Sequence, residues 1–179
     1  MAGGKSRFDW LRLVRFGLLA AFAAGIGLLV HRLERSPEQR DLTRYVETTL
    51  PPLRAREQPI LVEVARLGQS PGLAPAEARQ LLVAQTIPAI LQLRKQAEQV
   101  TTATAEARAL AAEYVQALDK LLEACRASVR VIDNPKLSTQ AGLAEVRRAF
   151  IDAEQARDLW DGDVRQACRR HHLTGPAPR

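Results

Sequence analysis

The stretch that most constrains this chain is Phe16 to Val30, FGLLAAFAAGIGLLV, fifteen residues without a charged or polar side chain. At about 1.5 Å of rise per residue it covers about 22 Å as a helix, short of a hydrocarbon core of about 30 Å. Leu11, Leu13 and Val14 lengthen it on one side and Leu33 on the other. Arg12, Arg15 and Arg32 then stand near the two ends, where long side chains snorkel to the headgroups. Phe8 and Trp10 occupy the place of an interfacial aromatic anchor. The pattern predicts a transmembrane helix over 11–35 behind a basic leader, 1–10. A cleaved secretory signal shares those two features. Its small-residue cleavage site is missing, however: Ala21-Phe22-Ala23 lies inside the apolar run, and His31-Arg32-Leu33-Glu34-Arg35 follows it. An uncleaved signal-anchor is therefore expected.

Orientation follows less directly. Lys5, Arg7, Arg12 and Arg15 on one side balance Arg32, Arg35, Arg40 and Arg44 on the other, so the positive-inside rule does not decide. The short leader needs no translocation, which favours export of the remainder to the periplasmic side of a bacterial inner membrane. Within the helix, Gly17, Ala21 and Gly25 recur every four residues. Small residues at that spacing let two backbones approach closely in lipid, which predicts a homodimer or packing against another membrane protein. The plainer reading is that Ala and Gly are common in such helices.

The rest, 36–173, reads as an all-α domain. Residues 1–35 hold six Lys/Arg against two Asp/Glu, whereas 36–179 hold twenty against eighteen, so most of the formal charge of +6 flanks the membrane helix. That distribution argues against nucleic acid as a partner and for the lipid bilayer. Ser36-Pro37-Glu38-Gln39 starts a first helix, with the stripe Leu42, Val46, Leu50, Leu53, Ile60, Val64 and Leu67. Pro51, Pro52 and Pro59 are expected to divide it, and Gly68 to end it. Pro75 opens a second helix, kinked at Pro88, with Leu82, Val83, Ile87, Ile90, Leu91, Leu93, Ala97 and Val100 as its apolar residues. Thr101 to Thr104 is a break, capped by Thr102 or Thr104, unless helices two and three run on through it. The third helix carries a heptad seam, Ala107, Ala111, Tyr114, Leu118, Leu121, Cys125, Ser128 and Ile132, of the kind found in coiled coils and bundles. Asp133-Asn134-Pro135 stops it. A fourth runs from about Ser138 to His172, with Leu143, Val146, Phe150, Ala153, Trp160, Val164 and Ala167 on its stripe. Short connections favour an up-down-up-down four-helix bundle, with Arg169 to His172 returning towards the membrane. Thr174 to Arg179 reads as a disordered tail.

Pro-Pro-Leu at 51–53, Ile87-Pro88, and the stretch from Thr104-Ala105-Glu106 to Tyr114 resemble features of the single-pass, membrane-anchored helical-bundle proteins widespread in bacteria. The resemblance covers about residues 45–172 and implies an architecture. LemA-type proteins share that architecture, but their characteristic residues do not align here. No function follows from it.

Little in the chain points to catalysis. Cys168-x-x-His171, with His172, is an incomplete metal site, and no second cluster completes it. No nucleophile elbow or phosphate loop is present, and Asp161 and Asp163 read as a solvated turn. No cofactor, metal or enzymatic activity is expected. The functional expectation is a structural or interaction protein of the cell envelope; the alternative is an extracytoplasmic sensory or small-ligand-binding bundle that signals through a partner. Cys125 and Cys168 are expected at different heights and unbridged. Two opposite charges, Glu57 and Arg157, fall on otherwise apolar stripes. Counting from the helix ends puts Arg157 about one and a half turns lower, and with the prolines this favours two solvent-facing charges. The alternative is a partly buried ion pair that fixes the register of helices one and four.

Overall fold

Each apolar stripe forms one helix, and the breaks fall where turn and capping residues interrupt the stripes. The computed structural model describes residues 36–69 and 74–173. Helix α1 (37–69) consists of Pro37–Arg44, a π-turn at Tyr45–Thr49, and Leu50–Gln69. Helix α2 (75–98) repeats the arrangement, with Pro75–Leu81, a π-turn at Leu82–Thr86, and Ile87–Glu98. Helix α3 spans Ala105–Asp133, and a 3-10 turn at Pro135–Leu137 leads to α4, Gln140–Arg170. No strand occurs among the described residues. None of these helices is long and apolar enough to cross a membrane. The segment 11–35, with Gly17, Ala21 and Gly25, and the tail 174–179 lie outside the described residues.

Pro51, Pro52 and Pro59 do not divide α1, contrary to expectation, and α2 likewise runs on through Pro88; the reason is local. Leu50 N–H reaches back to the Tyr45 carbonyl and Ile87 N–H to that of Leu82, five residues away in both cases. Pro51-Pro52 and Pro88 follow directly after these widened turns. The carbonyls four residues before the prolines belong to Glu47, Thr48, Ala55 and Ala84, all exposed, so water can serve them where the missing N–H cannot. The two sites share a sequence, Val46-Glu-Thr-Thr49-Leu50-Pro51 and Val83-Ala-Gln-Thr86-Ile87-Pro88. In each the threonine hydroxyl donates to the carbonyl five residues back, Arg44 or Leu81, at 3.4 Å. This internal recurrence is not visible as a repeat of composition.

The break before α3 is real. Thr104 is the N-cap, its Oγ1 accepting from Ala107 N–H, and Thr139 caps α4 in the same way. Most of the α3 seam is buried, and Leu110, Ala117, Leu122 and Ala124 are buried beside it, because neighbouring helices cover α3 on more than one side. Leu143, Val83 and Leu91, read as stripe residues, are exposed instead. Gly142 is required where it is: a Cβ there would lie 2.0 Å from the Leu137 carbonyl oxygen, so α4 seats directly on the 3-10 turn.

Helices α3 and α4 run antiparallel, Glu106 meeting His171, Leu110 meeting Trp160 and Arg130 meeting Glu145. This register puts Cys168 level with about residue 107, about 27 Å below Cys125 at the helical rise. Both thiols are free and buried. The backbones of α1 and α4 stand farther apart than those of α3 and α4, and long charged side chains span the gap.

Candidate functional site

The gap between α1 and α4 contains the densest cluster of buried polar groups among the described residues. Glu57 sits on the α1 stripe with a relative exposure of 2%, and Arg157 Nε lies 3.0 Å from its Oε1. The structure thus brings together the two charges that fall on apolar stripes. The counted offset disappears because α1 begins about one turn beyond the end of α4: Asp41, not Pro37, meets the start of α3, whose Glu106 meets His171. The contact is a charge pair rather than a linear hydrogen bond, since Arg157 Nε–H is not directed at an acceptor, and Nη2 is also buried without one among the described residues. Burial pushes the Glu57 carboxyl above its usual range, and Arg157 offsets that only in part.

One turn away Arg54 pairs with Asp161, which is 8% exposed. Asp161 is therefore no member of a solvated turn, as the sequence suggested; only Asp163 is exposed. The Arg54 guanidinium also lies 5.1 Å from the ring centre of Trp160. Trp160 stacks on Tyr114 at 4.5 Å and donates its indole N–H to the Leu110 carbonyl at 2.9 Å. The phenols of Tyr45 and Tyr114 are buried and shifted upward by desolvation. Arg54 and Asp161 were missed because neither lies on an apolar stripe; the place of Asp161 directly after Trp160, a large aromatic on α4, was the available signal for it, and the sequence carries none for Arg54.

Beyond Glu57 the gap opens into a cavity of about 360 Å³. Its walls are Leu61 and Val64 of α1, Leu118 and Leu121 of α3, and Phe150 and Ala153 of α4. Glu57 and Arg157 close one end, with Glu154 and Asp158 at the rim. A larger groove of about 620 Å³ between α1 and α2 is different in kind, being lined by Arg56, Glu63, Gln85, Gln92 and Gln96 at the surface.

The candidate metal ligands do not assemble. His171 Nε2 is 2.7 Å from Glu106 Oε2, and Arg170 pairs with Oε1 of the same carboxylate at 2.9 Å. Burial raises the Cys168 thiol and pushes that of Cys125 up to about 12. Among the described residues no group of three or more His, Cys, Asp or Glu is placed to hold a metal ion.

A separate buried carboxylate ties the helix ends together. Asp41 Oδ2 accepts from Ala103 N–H at 2.9 Å, and from Thr104 N–H and the Thr104 hydroxyl at 2.8 Å each. No protein-family model, curated protein or solved structure matches this chain.

Proposed function

We propose that the chain is a membrane-anchored, non-catalytic interaction protein of the bacterial cell envelope. In this reading 11–35 fixes the bundle to the inner membrane with 36–173 on the periplasmic side, and its partner is a second copy or another membrane protein. The observation that carries the reading is the uncharged run Phe16 to Val30, followed at once by a helical domain. Two features support it. The end of the bundle at which α1 starts carries Arg108, Arg169 and Arg170, the last paired with Glu106, side chains suited to anionic headgroups. Four of the titratable groups buried inside, two phenols and two thiols, are shifted upward and held protonated, the opposite of what a nucleophile requires.

Carbonate washing of membranes, followed by protease treatment of spheroplasts, tests both halves of the proposal. The full-length chain is expected to stay in the pellet and to lose a C-terminal tag to external protease. A soluble mature protein lacking residues 1–24 overturns it. A second reading, a sensory or small-ligand-binding bundle, is favoured by the cavity bounded by α1, α3 and α4.

A further inference from the structure

The cavity beyond Glu57 combines apolar walls with a guanidinium, that of Arg157, of which two buried nitrogens have no acceptor among the described residues. We propose that it binds an uncharged, largely apolar small molecule carrying one acceptor oxygen, as in a ketone, ester or amide, and that Arg157 receives that oxygen. The inference rests on the ligand-binding reading given second above.

Size and lining set the apolar part of the ligand. A volume of about 360 Å³ falls within the range of small-molecule sites, at its lower end. Leu61, Val64, Leu118, Leu121, Phe150 and Ala153 offer nothing to a polar body. The polar part follows from Arg157. Its Nε and Nη2 are buried and find no acceptor among the described residues, although Glu57 neutralises the charge at 3.0 Å. Buried donors without acceptors are uncommon in folded proteins, and an acceptor placed in the cavity beside Arg157 would satisfy one.

Charge then separates the candidate ligands. Among the described residues that line the cavity, three carboxylates, Glu57, Glu154 and Asp158, accompany one cation, Arg157, so a carboxylate or phosphate would enter a site already negative. An ammonium would compete with Arg157 for Glu57 and leave the guanidinium donors unpaired. A neutral acceptor meets neither obstacle.

The test compares three probes of equal chain length on the full-length protein: 2-decanone, decanoate and decylammonium. Hydrogen–deuterium exchange is read in peptides covering 57–65 and 150–158. At a concentration ten times its dissociation constant, 2-decanone is expected to slow exchange in both by about tenfold, and the two ions are not. Arg157→Met is expected to remove the response. Val64→Trp, which fills the cavity, is expected to slow exchange without ligand and to abolish the response. The second variant keeps the test decisive should the first fold poorly. Protection by one of the ions alone overturns the acceptor assignment and leaves a ligand-binding bundle standing. Equal protection by all three probes, or by none, overturns both.

Discussion

At Glu57 burial and charge oppose each other most directly. Its carboxyl is raised above 4.5 chiefly by desolvation, with Arg157 pulling the other way. A carboxyl that binds its proton more readily when folded contributes most to stability at acid pH, and that contribution falls as pH rises from the unfolded to the folded value. Removing Arg157 withdraws the cation that stands 3.0 Å from a carboxylate that stays buried. Arg157→Met should therefore cost about 3–5 kcal/mol at neutral pH, and part of that loss should return on acidification. Glu57→Gln should cost less, and the double variant should be more stable than Arg157→Met alone. Denaturant melts at pH 7 and pH 5 read all three; additive losses each under about 1 kcal/mol would place both residues among ordinary surface charges. Asp41 has the opposite sign. Burial alone would raise it, but hydrogen bonds from Thr104 and Ala103, with Arg44 nearby, hold it below 3.8. Its stabilisation is present above that value and is lost as pH falls through the lower folded one. Asp41→Ala should cost about 1.5–3 kcal/mol, since it strips three donors from a carboxylate, and the deficit should shrink in acid melts.

Helix ends were largely legible in the sequence, because they depend on local chemistry: Pro75 at a first turn, Thr104 as a cap, Asp133-Asn134-Pro135 as a stop. The π-turns were not. A widened turn adds a residue without changing composition, and the steps Leu42, Val46, Leu50, Leu53 read the same with or without it. The expected division of α1 at Pro51 and Pro52 fails accordingly, because the sequence shows the missing N–H but not the turn that accommodates it. The Glu57–Arg157 contact was obscured for another reason: counting up from helix ends assumes that the ends are level, and α1 starts about one turn lower. Glycines in α4 give a test at this scale. Gly142→Ala puts a methyl against the Leu137 carbonyl and should destabilise by about 1–3 kcal/mol. Gly162, also in α4, has open space where its Cβ would lie, so Gly162→Ala should stabilise by about 0.5–1 kcal/mol. Thermal melts of the two single variants should move in opposite directions.

For the whole molecule, association and anchoring are separable. If Gly17, Ala21 and Gly25 form the contact between membrane helices, Gly17→Leu with Gly25→Leu should abolish self-association in a membrane two-hybrid assay while leaving the chain in the carbonate pellet. Unchanged association would assign those residues to composition alone. The bundle itself is unevenly joined: α3 and α4 are closely apposed, whereas α1 reaches α4 through Arg54–Asp161 and Glu57–Arg157. The clasp of Asp41 on Ala103 and Thr104 lies about one turn into α1. Any pull entering the domain through Ser36 therefore reaches that clasp before it reaches either charge pair. The load passes from the first turn of α1 to the N-terminus of α3, bypassing most of α1. Mechanically, the domain is hung from the start of its central helix.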